Sequence, residues 1–90
     1  MEIIYDRDKA EKLLKDRNID LKEIEDLLLR EGPMDIIKNE ARPGRWIFLV
    51  RYKEYIHSVP FVINHDGVFV IKTVYPTRKY NGKFGEKNET

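Results

Sequence analysis

Arg45-Trp46-Ile47-Phe48-Leu49-Val50-Arg51-Tyr52-Lys53 is the stretch on which the fold turns. On an extended chain Trp46, Phe48, Val50 and Tyr52 fall on one side, with Arg45, Ile47, Leu49, Arg51 and Lys53 on the other. Aromatic and branched residues dominate it, which suits a strand packed on both sides. After a tight connection near Glu54, Tyr55 to Ile63 reads as its neighbour. Asn64-His65-Asp66-Gly67 is a hairpin turn with glycine at the position needing positive φ, and Val68 to Tyr75 closes the sheet. Pro60 lacks the N–H a ladder needs and marks an edge or a bulge. Upstream, Met34 to Asn39 is a weaker strand ended by Arg42-Pro43-Gly44, and Glu2 to Tyr5 is a short one.

Two helices precede these strands. Asp6 caps one running to about Arg17, with Ala10, Leu13 and Leu14 as its apolar stripe and Asn18 as a left-handed stop. Asp20 opens the second, with Glu23 completing a capping box, and Leu21, Ile24, Leu27 and Leu28 recur at helical spacing until Gly32-Pro33. Helices this short are marginal alone and need a sheet to lie on. The fold class is therefore α+β, with two N-terminal helices packed on one face of a three- to five-stranded antiparallel sheet. Residues 1–80 form one domain, and 81–90 read as a flexible polar tail. The opposite sheet face carries Ile47, Leu49 and several valines, so a cover is expected. The tail after Pro76, a second copy of the chain and a different protein are the candidates.

At 90 residues, with 41% hydrophobic and 37% charged, the composition is that of one small soluble domain. The absence of cysteine removes disulfides and thiolate chemistry. No apolar run suits a signal peptide or a membrane span, so a cytoplasmic protein without membrane contact is the expectation. Residues 1–40 hold 12 acids and 8 bases, whereas 41–90 hold 9 bases and 4 acids. An acidic first half and a basic second half point to a polyanionic partner for the latter.

Only two histidines are present, His57 in a strand and His65 in a turn, without metal-ligand spacing, so neither a metal nor another cofactor is expected. His57 shares parity with Tyr55, Val59 and Phe61; it is a half-buried strand residue or, alternatively, an acid or base at a sheet-face site. The single serine, Ser58, gives no support to a nucleophilic triad. What remains is a basic-aromatic group: Arg42, Arg45, Arg51, Tyr52, Lys53, Tyr55, Lys72, Tyr75, Arg78, Lys79 and Tyr80. Arginines and lysines hold phosphates, and tyrosines stack on unpaired bases or orient a ribose. Such a set can also cleave RNA without a metal. A cation stabilises the charge on the phosphorane, while a positioned donor or base handles the 2′-hydroxyl proton.

Tyr5-Asp6-Arg7-Asp8-Lys9-Ala10, the helix linker from Leu14 to Ile24 and the ending Thr73 to Lys79 resemble, in order and spacing, the BrnT family of bacterial toxins from type II toxin–antitoxin pairs. The resemblance spans residues 3 to 80. It implies a fold like that of the RelE class of ribonucleases, RNA cleavage that halts translation, and a cognate antitoxin that is a short DNA-binding protein. It also implies that Arg78, Lys79 and Arg51 stabilise the scissile phosphate. Tyr75, Tyr80 or His57 would then orient the 2′-hydroxyl or move protons, and Arg45, Lys53, Lys72 and Tyr80 would hold RNA. The rival expectation is a non-catalytic interaction module, a homo-oligomer or a regulator's partner, that uses the apolar sheet face.

Overall fold

Asp6 and Asp20 start the two helices in the computed structural model, which describes residues 1–81. Asp6 precedes α1 (Arg7–Arg17) and accepts the Asp8 N–H, and Asp20 precedes α2 (Leu21–Arg30) and accepts the Lys22 N–H. Each carboxylate satisfies an N–H that the helix itself cannot. Asn18 ends α1 in the left-handed conformation at φ 57°, and the Ile19 N–H donates back to the Leu13 carbonyl. That six-to-one bond buries Ile19 beneath the helix end.

The strands are β1 (Ile3–Ile4), β2 (Asp35–Lys38), β3 (Trp46–Tyr52), β4 (Tyr55–Ile63), β5 (Phe69–Ile71) and β6 (Tyr75–Pro76), followed by a single turn of helix, α3 (Arg78–Tyr80). The α+β class and the two leading helices stand as read. The sheet is wider and mixed: six strands in the order β1-β5-β4-β3-β2, with β6 also on β4 and β1 parallel to β5. The parallel pair arises because β1 enters the sheet from before the helices, beyond the reach of a hairpin.

One face packs on the helices. Leu13, Ile19, Leu21, Ile24 and Leu28 meet Phe48, Val50, Tyr52, Val59, Phe61, Ile71 and Val74. At its centre Phe48 stacks on Phe61 with ring centroids 3.9 Å apart. Leu14, expected in the α1 stripe, is exposed: α1 is tipped so that Leu13 carries its burial.

The expected last strand is broken in two. Phe61 pairs with Ile71, but Ser58 pairs with Tyr75, so one extra residue lies between β5 and β6. The bulge sits beside Pro60, whose carbonyl accepts the Lys72 N–H and whose nitrogen has nothing to donate. Its consequence is a change of parity. Ile71 and Val74 both enter the helix-side core, and Tyr75 turns to the opposite face.

That opposite face holds a second, smaller cluster of Ile47, Leu49 and Ile56, against which Ile37 and Tyr80 pack. Tyr80, from the stretch after Pro76, thus covers this cluster, as the first of the three expected candidates would. Asn81 fastens it: its side-chain oxygen accepts the Ile56 N–H and its amide donates to the Ile56 carbonyl, both at 3.0 Å. Asn81 therefore belongs to the fold, while the rest of the expected polar tail lies outside the described residues. Among the described residues no helix is long and apolar enough to cross a membrane.

Candidate nucleic-acid interface

The bulge decides where the basic group gathers. Tyr75, 38% exposed, stands on the sheet face away from the helices. Beside it opens a cleft of about 390 Å³. The cleft draws Lys9 from α1, Arg42 and Arg45 from the loop joining β2 to β3, and Lys72 and Thr73 from the bulge. Asn39, Ala41 and Pro60 complete the lining. Four cations and no carboxylate line this space, so its potential favours an anion. A groove running on from Tyr75 adds Lys38, Lys79, Ser58, Thr77 and Tyr80, with Glu40 as its carboxylate. Thr77 is held in place by its N–H donating to the Ile56 carbonyl.

Of the residues singled out from the sequence, Arg45, Lys72 and Tyr75 meet in the cleft, and Lys79 and Tyr80 lie in the adjoining groove. Lys79 also sits 5.3 Å over the Tyr80 ring. Arg51 shares the face: it pairs with Ile56, and Thr77 bonds Ile56 from the other side. Two strand spacings place the Arg51 and Thr77 backbones roughly 10 Å apart. Neither Arg51 nor the exposed Arg78 lines the cleft.

Two residues are elsewhere. The Lys53 ammonium donates to the Asn18 carbonyl at 2.9 Å and lies over the Tyr52 ring, where it neutralises the end of α1. His57 pairs with Val50 and so points to the helix side, its ring edge-on to Tyr52 and Tyr55. Its Nδ1 lies 2.8 Å from the Tyr55 carbonyl; a carbonyl only accepts, so Nδ1 carries the proton. Lys9 was missed as a cleft residue, although it stands in the sequence motif that opens α1.

Burial lowers the His57 pKa below its ordinary 6.5, the Tyr55 carbonyl opposes this, and the Lys53 charge adds to the lowering. The unfolded chain therefore takes up this proton more readily than the folded one, and stability is lost as pH falls below about 6.5. Thermal midpoints are expected to drop between neutral pH and pH ~5. His57→Asn, which keeps a donor near the Nδ1 position, is expected to flatten that drop. An unchanged pH profile in the variant would show that His57 does not titrate on unfolding.

Among the described residues, no three His, Cys, Asp or Glu side chains gather as metal ligands. No protein-family model matches this chain, nor does any curated protein or solved structure.

Proposed function

We propose that this chain binds RNA in the cleft around Tyr75 and acts as a BrnT-like toxin, a cytoplasmic, metal-independent endoribonuclease held in check by a cognate antitoxin. The observation that carries the reading is the cleft itself, with Lys9, Arg42, Arg45 and Lys72 around an exposed tyrosine and no carboxylate in the lining. Cations at that density suit successive phosphates, and Tyr75 offers both a stacking ring and a hydroxyl.

Cleavage on this reading is attack of the ribose 2′-oxygen on the adjacent phosphorus. The 2′-hydroxyl proton passes to water, the bond to the 5′-oxygen breaks, and that oxygen takes a proton from the Tyr75 hydroxyl or from water. The products are a 2′,3′-cyclic phosphate and a 5′-hydroxyl. Arg45 and Lys72 stabilise the charge on the non-bridging oxygens, and the Tyr75 hydroxyl donates to the leaving oxygen or orients the nucleophile. Lys79 extends the cationic path along the groove.

A second reading, RNA binding without cleavage, is favoured by one observation. Both imidazoles lie away from the cleft, His57 on the helix side and His65 in the exposed turn after β4, so no imidazole lines it to act as a general base. Incubating the purified protein with single-stranded RNA, with and without a chelator, separates the two. Cleavage products ending in a cyclic phosphate under both conditions are the expected result. Intact RNA that is nonetheless bound would leave the binding module and remove the nuclease.

A further inference from the structure

The two helices treat their cations differently. On α2, Lys22 lies 3.8 Å from both Glu25 and Asp26. On α1, Lys9, Lys12 and Arg17 form no ion pair among the described residues, and they line a groove of about 600 Å³ with Leu13, Asp16 and Thr73. All three cations are exposed. Lys9 stands in the first turn of α1, where the helix dipole disfavours a cation. Three cations against the single carboxylate of Asp16 leave the groove attractive to an anion.

Lys9 and Thr73 also line the cleft around Tyr75, so groove and cleft share a wall. That wall is the margin of the sheet: β1 pairs with Phe69 and Val70 and goes no further, and the bulge then carries the chain to β6. The helices lie to one side of this margin and Tyr75 to the other, so a strand passes from groove to cleft round the edge of the sheet. Lys9 to Arg17 spans about 12 Å of helix rise, room for about three phosphates of a stacked strand.

We propose that the groove along α1 is a second phosphate track, in which Lys12 and Arg17 hold the backbone of single-stranded RNA where it runs on from the cleft, with Lys9 at the junction. This track rests on the RNA reading of the cleft and lengthens the ligand: a short strand fills the cleft alone, and a longer one reaches α1. Asp16 repels the backbone and keeps it to the two cations that flank it.

End-labelled oligouridylates of about four and about twelve nucleotides, within the usual range of single-strand sites, are titrated by anisotropy between about 50 and about 200 mM salt. The slope for the shorter strand is set by the cleft cations. The longer strand is expected to show a steeper one. Lys12→Ala combined with Arg17→Ala is expected to take about 1.4 from the longer strand's slope, 0.7 for each contact, so that the same rise in salt costs roughly sevenfold less affinity. The shorter strand's binding should not change, and alanine suits the helix at both exposed positions. Asp16→Asn is expected to tighten the longer strand only. Equal slopes for the two lengths in the parent, an undiminished slope in the double variant or unchanged affinity in Asp16→Asn would each overturn the track, while binding of the shorter strand keeps the cleft reading standing. No binding of either strand would overturn the cleft reading, and the track with it.

Discussion

Arg45→Ala combined with Lys72→Ala is expected to halve the salt dependence of RNA binding. Each cation that neutralises a phosphate releases condensed counterions, and for a single strand the logarithm of the affinity falls with the logarithm of salt by about 0.7 per contact. Lys9, Arg42, Arg45 and Lys72 line the cleft, so four contacts give a slope near −2.8. Between about 50 and about 200 mM salt that slope costs roughly 50-fold in affinity. With two cations removed the slope becomes about −1.4 and the same change in salt costs roughly sevenfold. Both side chains are only half-buried and belong to neither apolar cluster, so the thermal midpoint is expected to stay nearly constant. The slope is the deciding readout, because a general loss of structure lowers affinity without halving it. A double variant with the original slope would place the RNA elsewhere.

The sequence made the helices legible because their boundaries are local chemistry. Asp6, Asn18 and Asp20 act on their own neighbours, and their roles need no tertiary information. Strand parity in β3 and β4 was legible for a similar reason: alternation is a property of each strand taken alone. The bulge was not. One extra residue between Ile71 and Tyr75 leaves no mark in its own stretch, and Pro60, its single hint, lies on the facing strand. Straight alternation groups Tyr75 with Phe69 and Ile71, on the helix side, away from the cations it joins. Lys9 was obscure for the same reason: it precedes the cleft's other residues by at least 30 positions in the chain, and only the packed helix brings it there. Lys53 has the right charge, but the hairpin it sits in aims its ammonium at the end of α1. A side chain's destination, unlike a cap or a parity, is fixed by what the rest of the fold leaves open.

Tyr52→Phe is expected to cost about 2 kcal/mol of stability, which for a domain of this size lowers the thermal midpoint by roughly 8–16 °C. Glu23 was placed to complete a capping box with Asp20, yet the Tyr52 hydroxyl stands between them. It accepts the Asp20 N–H at 3.0 Å and donates to Glu23 Oε1 at 2.8 Å. Burial raises the Tyr52 pKa and Glu23 adds to the rise while the Asp20 N–H opposes it, so the hydroxyl keeps its proton and the donation persists at any ordinary pH. One oxygen thus ties the start of α2 to the end of β3. Its removal strands the backbone donor of half-buried Asp20 and takes a hydrogen bond from the exposed Glu23, and leaving a partly buried donor without a partner costs more than the bond itself is worth. Tyr5→Phe is the matched control. The Tyr5 hydroxyl donates to Glu25 at 3.3 Å and bridges to no second group among the described residues, so a cost nearer ~0.5 kcal/mol is expected. Equal midpoints for the two variants would mean that the bridge contributes nothing beyond a surface hydrogen bond. Tyr52 is buried in the core beneath the helices and does not line the cleft, so RNA affinity well below the midpoint should not distinguish Tyr52→Phe from the parent. Stability and binding are then lost separately, through different residues of the same sheet.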